Sequence, residues 1–298
     1  MRRVLITGIT GYIGSRLARS LLDGSEVYGL VREPLHTEYI ADMQDRLRLA
    51  AVDDTYESIR AAVGSIRPEI VYHLAAFYTG AHGAQAAPKL IASNIAFGGY
   101  LLEAMAAHHV PALVYASTVM THYRGAGYRP LNLYAATKRA FSDLLAYYTD
   151  AGLLRAVTLV LSDTYGPGDH RPKILNLIRQ AAESGERIAL SEGTQIYDVV
   201  YIDDVVSAFR MAGERLLSGA LGNDVFQVVP ETPLSLRETV EKMLEANGLT
   251  LNAGWGERPA AERGMASAVR LYPTLPGWSP RVPLEDGLRM YNRAEQLK

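Results

Sequence analysis

The chain has 298 residues, a formal net charge of −2, 48% hydrophobic and 21% charged residues, and no cysteine. Such a composition is typical of a globular protein, and the length allows one large domain with a smaller lobe. The small net charge argues against nucleic acid or an anionic membrane as a partner, and the lack of cysteine excludes disulfides, thiolate catalysis and cysteine-ligated zinc. Because no stretch approaches about 18 uninterrupted apolar residues, we expect no membrane span. The lack of cysteine is compatible with a reducing cytoplasm, where we expect the protein.

Strand-like and helix-like runs alternate along the first 165 residues. Repeated strand–helix–strand units predict a parallel sheet that is covered by helices on both faces. We therefore expect an α/β protein with a doubly wound parallel sheet of the Rossmann-like type. The expected strands are Val4–Ile6, Glu26–Val31, Leu47–Val52, Ile70–Leu74, Leu113–Ala116 and Ala156–Leu161, and the expected helices are Tyr12–Leu22, Tyr56–Ser65, Pro88–His108 and Tyr134–Asp150.

The rhythm changes after about residue 165, where the loop DTYGPGDHRPK ends the regular alternation and later elements are interrupted by glycine and proline. We expect residues 1–165 to form a dinucleotide-binding domain, together with later segments at about 196–216. Residues 166–298 are expected to form mainly a smaller C-terminal substrate-binding lobe, whose last helix begins near Leu284.

Three glycines, Gly8, Gly11 and Gly14, follow the first strand in VLITGITGYIGSRL and stand at the start of the first helix. Glycines in such a turn let backbone N–H groups approach a pyrophosphate, and the helix N-terminus adds partial positive charge. The spacing is G-x-x-G-x-x-G, so a simple tight turn is the alternative. Because the motif opens a strand–helix–strand series, we interpret it as a dinucleotide-binding loop.

The end of the second strand, EVYGLVREP, indicates which nicotinamide cofactor is bound. NAD enzymes place an acid there for the ribose 2′-hydroxyl, whereas this chain has Val31 followed by Arg32. A guanidinium suits a 2′-phosphate, so we expect NADP(H) to be favoured over NAD(H), although Glu33 is only one residue further. At the end of the third strand, Asp53 or Asp54 is expected either to reach the adenine edge or to cap the next helix.

A tyrosine and a lysine four residues apart, Tyr134 and Lys138, begin the helix that follows the fifth strand. That strand ends in VYASTVM, which contains Thr118, and ligands of doubly wound sheets bind beyond the carboxyl ends of the strands. Reduction of a ketone needs a proton for its oxygen, and an adjacent ammonium favours the phenolate and lowers the tyrosine pKa toward a useful range. A threonine hydroxyl can orient the carbonyl oxygen.

Several motifs occur in order along the chain: TGITGYIG, YHLAA, the asparagine of IASNIAF, AST followed by YAATK, DTYGPGD, VVYIDDVVSAF and PGWSPRVPLEDGLR. Together they resemble the extended short-chain dehydrogenase/reductases, which include nucleotide-sugar epimerases, dehydratases and reductases. The resemblance runs from Arg3 to about Tyr291. It implies a catalytic triad of Thr118, Tyr134 and Lys138, in which Lys138 also binds the nicotinamide ribose.

The same resemblance implies the remaining cofactor contacts and the assembly. Asn94 would be a structural or relay residue of the long central helix. A homodimer would form through a four-helix bundle of the helices at 88–108 and 134–151, although core packing accounts for much of the same apolar pattern. The expected cofactor contacts are Thr7, Gly8, Thr10, Gly11, Tyr12, Ile13, Gly14, Arg32, Asp53, Leu74, Ala75, Ala76, Tyr134, Lys138 and Leu161.

Departures from the family pattern reduce the number of reactions that we expect this chain to catalyse. The triad threonine is followed by Val119 and Met120, where 4,6-dehydratases carry acidic residues, and neither side chain can transfer a proton. Tyr197 stands where relatives usually carry an arginine for the substrate diphosphate. Arg171 and Lys173 are candidates for that role, and the alternative is that they belong to an ordinary loop at a helix start.

Further polar residues are candidates for contact with the sugar. Asp163 stands where many relatives carry a substrate-binding asparagine, and a carboxylate can still accept hydrogen bonds from sugar hydroxyls. His122 and Tyr123 either touch the sugar or shape their loop. We expect no metal site, because the histidines are scattered. The expected substrate contacts are Tyr78, Thr118, His122, Tyr123, Asp163, Arg171, Lys173 and Tyr197.

The segments NLYAATKRAF, YYTDA and DTYGPGDHRPK resemble most the CDP-abequose and CDP-paratose synthase branch of the family. This implies NADPH-dependent reduction of the C4 ketone of a CDP- or dTDP-linked 4-keto-6-deoxy or 3,6-dideoxy sugar, in deoxysugar biosynthesis. One alternative is an NAD-dependent nucleotide-sugar 4-epimerase. The other is a non-catalytic NADP-sensing protein on the same fold, which the intact Tyr134 and Lys138 disfavour.

Overall fold

The computed structural model describes residues 1–33, 35–80, 83–125 and 127–293. Its strands are β1 (Arg2–Thr7), β2 (Ser25–Val31), β3 (Arg48–Ala51), β4 (Ile70–His73), β5 (Ala112–Thr118), β6 (Arg155–Leu161), β7 (Asp163–Tyr165), β8 (Ile188–Leu190), β9 (Val199–Tyr201), β10 (Asp224–Val228) and β11 (Ala253–Trp255). Its helices are α1 (Tyr12–Leu21), α2 (Tyr56–Ile66), α3 (Ala86–Ile91), α4 (Phe97–Ala107), α5 (Leu133–Asp150), α6 (Ile174–Ser184), α7 (Ile202–Leu217), α8 (Leu236–Asn247) and α9 (Leu284–Arg293). Shorter helical turns occupy Ala41–Arg46, Ala92–Ala96 and Val119–Thr121.

The central sheet has seven strands in the order β10-β6-β5-β4-β1-β2-β3, and every neighbouring pair is parallel. This confirms the predicted doubly wound α/β architecture, with the six expected strands present. The chain runs outward from β1 through β2 to β3 and then returns to place β4 on the other side of β1. The crevice at the carboxyl ends of β1 and β4 is therefore the switch point at which such sheets bind ligands.

Helices cover both faces of the sheet, as the alternating residues of β1 show. Val4 and Ile6 belong to one buried cluster with Leu17 of α1 and Phe209 of α7. Leu5 points to the opposite face, into a second cluster with side chains of α2, α4 and α5. Because both faces are buried, the strands appear in the sequence as continuous apolar runs.

The chain returns to the central sheet after residue 165. Two small parallel pairs, β7 with β9 and β8 with β11, lie outside the central sheet. Helix α7, which largely coincides with the segment expected at 196–216, packs against α1, β5 and β6. Strand β10 then joins the edge of the sheet beside β6, a strand that the sequence did not predict.

The stretch Ala86–Ala107 contains α3 and α4, joined by a π-helical turn at Ala92–Ala96. By length and composition alone this stretch could cross a membrane, and half of its most apolar window is buried inside the fold. Its α4 part packs against α2 and α5. A buried core helix of a globular protein can have the same length and apolar composition, so these two features alone do not indicate a membrane span. The helix was predicted as continuous, and the π turn that interrupts it holds Asn94.

Candidate active site

Gly8 and Gly14 form a cradle at the end of β1 that larger residues would fill. Gly8 has a φ of +74°, and a Cβ there would lie 2.7 Å from the Ala75 nitrogen. A Cβ at Gly14 would collide with the Gly8 carbonyl oxygen. Gly11 precedes α1 as its N-cap and donates its N–H to the Gly8 oxygen at 3.0 Å. Bare backbone before a helix N-terminus fits the pyrophosphate of a dinucleotide.

A cavity of about 500 Å³ extends from this cradle along the ends of β2 and β3. A cavity of this volume can hold a large part of a small-molecule cofactor. It therefore brings together much of the cofactor site that the sequence predicted. The predicted residues that line it are Gly8, Thr10, Gly11, Arg32, Leu74, Ala75 and Ala76.

Asp54, rather than Asp53, lines this cavity. The backbone of Asp54 is left-handed, with a φ of +65°, and its Oδ2 accepts a hydrogen bond from Arg32 Nη1 at 3.1 Å. The other oxygen, Oδ1, is buried without a protein partner, so it could accept a donor from a bound adenine. Asp53 instead accepts the N–H and the hydroxyl of Thr55, which caps α2. The adenine role expected for either residue therefore fits Asp54.

Thr7 connects the glycine loop to the loop after β4. It is fully buried, its Oγ1 lies 2.7 Å from His73 Nδ1, and the same oxygen accepts the Ala75 N–H at 3.2 Å. Thr7 thus positions the segment that lines the cavity. Tyr12 and Ile13 open α1, where Tyr12 is 2% exposed and Ile13 packs against the same buried cluster.

Thr118, Tyr134 and Lys138 come together at the carboxyl edge of the sheet. Thr118 ends β5 opposite Leu161 of β6, and the short turn that follows it contacts α5. The Asn132 side chain caps α5 at its N-terminus. Tyr134 and Lys138 then lie one helical turn apart on the same face of α5. The fold therefore places the predicted triad at the edge where ligands of such sheets bind.

Tyr115 holds Lys138 in place through two contacts. The Lys138 Nζ lies 4.4 Å from the centroid of the Tyr115 ring, and the Tyr115 hydroxyl donates to the Lys138 carbonyl oxygen at 2.9 Å. Lys138 is 3% exposed, and this burial lowers its pKa to about 7. Sequence reasoning missed Tyr115. The available signal was a tyrosine within an apolar strand, because a buried hydroxyl needs a partner.

Tyr134 is a protonated phenol at ordinary pH. Burial raises its pKa well above the usual value, and Tyr78, whose ring lies edge-on with centroids 4.9 Å apart, raises it further. The expectation that Lys138 lowers this pKa is wrong for the protein without a cofactor, because loss of solvent outweighs the charges nearby. In the cofactor-free protein Tyr134 therefore holds its proton tightly.

Asn94 links the π turn to the start of α5. Its amide accepts the Phe77 N–H at 2.8 Å and donates to the Thr137 hydroxyl at 2.9 Å. That hydroxyl donates to the Tyr134 carbonyl oxygen at 2.8 Å. Of the two roles expected for Asn94, structural or relay, these bonds fit the structural one, because they hold the Tyr134 backbone against the loop after β4.

Asp163, Lys173 and Tyr197 form a hydrogen-bonded group beside Tyr78. Lys173 Nζ donates to Asp163 Oδ1, and the Tyr197 hydroxyl donates to Asp163 Oδ2 at 2.7 Å. Burial disfavours the Asp163 carboxylate, but Lys173, the Tyr197 hydroxyl and the Arg171 charge together outweigh burial, so the pKa of Asp163 stays below the usual value. The Asp163 charge also raises the pKa of Tyr78 and of Tyr134. The group therefore lies near the catalytic tyrosine.

Arg171, two residues before Lys173, points toward the start of α1 instead. Its guanidinium donates to both carboxylate oxygens of Asp169 at 2.6 Å and lies 4.8 Å from the centroid of the Tyr12 ring. Arg171 and Lys173 were predicted as equivalent candidates for the substrate diphosphate. Only Lys173 joins the group around Asp163.

His122 and Tyr123 are held in contacts that shape their loop. Because a carbonyl only accepts, His122 Nδ1 donates to the Gly127 oxygen, and Nε2 accepts from the Tyr272 hydroxyl at 3.1 Å. The Arg263 guanidinium lies 4.6 Å from the centroid of the Tyr123 ring. Of the two predicted roles, these contacts fit loop shaping rather than contact with a sugar.

Known proteins are similar to this chain in sequence. The family model of the NAD dependent epimerase/dehydratase family matches residues 4–227. A CDP-abequose synthase of Yersinia pseudotuberculosis is 28% identical over 85% of this chain and 88% of its own. A UDP-glucose 4-epimerase of Mycolicibacterium smegmatis is 26% identical over 96% of both chains.

Solved structures of similar proteins contain NAD. MoeE5, in complex with UDP-glucose and NAD, superposes with a TM-score of 0.83 at 26% identity, over 99% of this chain and 98% of its own. The UDP-glucose 4-epimerase of Thermus thermophilus, in complex with NAD, gives a TM-score of 0.81 at 25% identity over 99% of both chains. With the glycine cradle and the triad in place, these similarities show that the chain belongs to the NAD-dependent epimerase/dehydratase family.

Proposed function

We propose that this protein reduces the C4 ketone of a CDP- or dTDP-linked 4-keto-6-deoxy or 3,6-dideoxy sugar with NADPH. The observation that carries this proposal is an apolar turn beside a complete triad. Val119, directly after Thr118, is 8% exposed and packs in an apolar cluster with other valines. Neither Val119 nor Met120 can remove a proton from a sugar carbon, which disfavours dehydration and leaves chemistry at the oxygen.

Each side chain of the triad has a separate role in the reduction of the carbonyl group. Tyr134 donates its proton to the C4 oxygen as the ketone becomes an alcohol. Thr118 Oγ1 already accepts the Met120 N–H at 3.2 Å, so its own proton is available to orient the same oxygen. Lys138 lies under Tyr134 on α5 and can bind the nicotinamide ribose. When bound, the dihydronicotinamide supplies the hydride.

Arg32 supports NADPH as the cofactor. Its side chain is 53% exposed at the mouth of the cavity, where a guanidinium can hold a 2′-phosphate through two N–H donors. The pairing with Asp54 keeps Arg32 at this position. The glycine cradle and the unpartnered Asp54 Oδ1 fit the pyrophosphate and adenine parts of either nicotinamide dinucleotide.

Lys173 is proposed to hold the substrate diphosphate in place of the arginine that Tyr197 replaces. Its ammonium has three donors, two of which go to Asp163 and to the Thr164 carbonyl oxygen. The remaining donor can bind a phosphate oxygen. Because Lys173 balances the Asp163 charge, the carboxylate can lie near an anionic diphosphate without strong repulsion.

A 4-epimerase is the second candidate, and two observations favour it. UDP-glucose 4-epimerases are similar to nearly the whole chain, and Glu33 lines the cofactor cavity, where an acid can bind a ribose 2′-hydroxyl. A non-catalytic sensor of NADP is disfavoured by the intact triad.

Assays with added cofactor and nucleotide sugars separate these functions. A reductase requires added NADPH and consumes it with CDP- or dTDP-linked 4-keto sugars, but not with the corresponding alcohols. An epimerase retains NAD on purification and interconverts UDP-hexoses without added cofactor. Consumption of NADPH supports the proposal, and epimerisation with tightly bound NAD contradicts it. A Tyr134→Phe variant that keeps full biological activity would point to the sensor.

We also propose a cytoplasmic homodimer formed through α4 and α5. Tyr100, Leu144 and Tyr147 expose large apolar side chains there, with exposed fractions of 40%, 38% and 66%. A Cβ at Gly99 of α4 would lie 3.7 Å from Leu144 Cδ1 of α5, and the two helices pack side by side. Sedimentation of the protein and of Leu144→Glu tests this proposal, since a charge in the interface should yield monomers.

A further inference from the structure

The loop Gly166–Lys173, here called the bridging loop, contacts the glycine-loop helix. At one end, Arg16 Nη2 donates to the Pro167 oxygen at 2.6 Å, and the Tyr12 hydroxyl donates to the same oxygen at 3.3 Å. A Cβ at Gly166 would lie 2.8 Å from the Tyr12 hydroxyl, so this approach requires glycine. The loop therefore packs directly against the first residues of α1.

Arg171, near the other end of the loop, also contacts the start of α1. Its two bonds to Asp169 form a bidentate pair, and the Asp169 side chain is only 2% exposed. The guanidinium lies over the Tyr12 ring, on which Arg16 also lies at 5.8 Å from the centroid. Charge-assisted bonds and cation–π contacts are stronger when desolvated. The Nε and Nη2 groups of Arg171 are thus bound by Asp169, and its guanidinium lies on the Tyr12 ring.

The opposite end of the loop contacts the hydrogen-bonded group of Asp163, Lys173 and Tyr197. The Thr164 carbonyl oxygen accepts from Arg171 Nη2 at 3.3 Å and from Lys173 Nζ at 2.9 Å. Lys173 in turn binds Asp163. A continuous set of contacts therefore runs from the first residue of α1, through Arg171 and Thr164, to the residues beside the catalytic tyrosine.

We propose that Arg171 is a positioning residue for the cofactor: by holding Tyr12 and the start of α1, it sets the affinity for the dinucleotide without touching cofactor or substrate. The backbone of α1 begins at the glycine cradle, so a shift of Tyr12 moves the N–H groups that face the pyrophosphate. This role replaces the diphosphate contact that the sequence suggested for Arg171. Cofactor binding can be measured without any sugar, so its outcome is independent of the proposed reduction.

Titration of the full-length protein with NADPH, followed by its fluorescence, tests this role. Arg171→Met should raise the Kd for NADPH by about tenfold, because the cation–π contact with Tyr12 and the bidentate hydrogen bonds to Asp169 are both lost. Arg237→Met is the matched control, since Arg237 also binds a carboxylate (Glu241, 3.0 Å) and lies 5.2 Å from a ring centroid (Trp255), but on α8. The control should leave the Kd unchanged within about twofold.

Removal of Arg171 alone leaves the Asp169 charge buried and unpaired, which can unfold the loop. The double variant Asp169→Asn/Arg171→Met removes both charges and should keep the wild-type Tm while retaining the raised Kd. A folded double variant with a wild-type Kd overturns the proposal, and so does failure of both variants to fold.

A double-mutant cycle shows whether Arg171 acts through Tyr12. Tyr12→Leu and Arg171→Met should each weaken NADPH binding, and the combination should be no weaker than the worse single variant within about twofold. Such non-additive effects on the Kd would support the view that Arg171 acts on NADPH binding through its contact with Tyr12. Effects on Kd that multiply in the double variant contradict it.

Discussion

The ring of Tyr115 lies beneath the Lys138 ammonium at 4.4 Å, and its hydroxyl binds the carbonyl oxygen of the same lysine at 2.9 Å. One buried side chain thus fixes both the charged end and the backbone of the lysine in the predicted triad. The cation–π contact partly replaces the water that burial removes from the ammonium. The position of Lys138 therefore depends on a residue of β5 as well as on α5.

Tyr115→Phe and Tyr115→Leu should separate these two contacts. Phenylalanine keeps the ring and loses one hydrogen bond, so kcat should fall by about fivefold. Leucine also loses the cation–π contact, and kcat should fall by about a further tenfold. The pH at which kcat changes should move in the leucine variant only. Tyr72→Phe, at a buried tyrosine of β4, is the control, and equal kcat values in all variants would contradict this role.

The lowered pKa of Lys138 predicts how stability depends on pH. The Lys138 ammonium loses its proton at about pH 7 in the folded protein, compared with 10.5 as its ordinary value. Between these values the unfolded chain holds more protons, so this group makes the free energy of unfolding rise with pH. The wild type should therefore gain stability relative to Lys138→Met as pH rises through this window.

Urea denaturation of the cofactor-free protein across this pH window measures that difference. Lys89→Met, at an exposed position of α3, is the control variant. Parallel pH profiles of unfolding free energy for wild type and Lys138→Met would show that Lys138 is not buried as described.

Replacement of Arg32 tests the choice of cofactor. Arg32→Ala should raise KM for NADPH by about tenfold through loss of charge-assisted bonds to the 2′-phosphate, with little change for NADH. Arg48→Ala is a matched control, because Arg48 is a similarly exposed arginine paired with Glu26, but at the amino-terminal ends of β2 and β3, away from the cavity. A wild type that prefers NADH, or an equal loss with both cofactors, would refute this role.

Replacement of Lys173 tests the substrate end. Lys173→Met should raise KM for the nucleotide sugar by about tenfold, because one charged donor to the diphosphate is lost. The KM for NADPH should change much less. Lys242→Met removes a comparable lysine–carboxylate pair, with Glu285 at 2.7 Å, and serves as the control. An unchanged sugar KM would exclude Lys173 from binding the diphosphate.

Local signals in the sequence were sufficient to predict six of the seven strands of the central sheet. Buried strands appear as apolar runs, and the glycine motif marks β1, so the order of elements predicts the switch point and the edge that carries Thr118 and Tyr134. Strand β10 was not predicted, because DVFQV is short and follows a glycine-rich turn. Its place beside β6 depends on tertiary pairing, which local propensity does not determine.

The finer assignments of the site depend on directions that a sequence does not contain. Asp53 and Asp54 are adjacent, but the left-handed backbone at Asp54 turns only its carboxylate into the cavity. Arg171 and Lys173 are two residues apart, and folding sends one to Tyr12 and the other to Asp163. The raised pKa of Tyr134 likewise comes from packing around its ring.

Transfer of deuterium from NADPH labelled at C4 of the nicotinamide tests the proposed reduction most directly. With a CDP- or dTDP-linked 4-keto sugar, the label should appear at C4 of the product alcohol, with one NADP⁺ formed per sugar. Tyr134→Phe should slow this transfer by about a hundredfold to ten-thousandfold, as expected for loss of the proton donor. Turnover of a nucleotide hexose with no deuterium in the product and no net loss of NADPH would contradict the account.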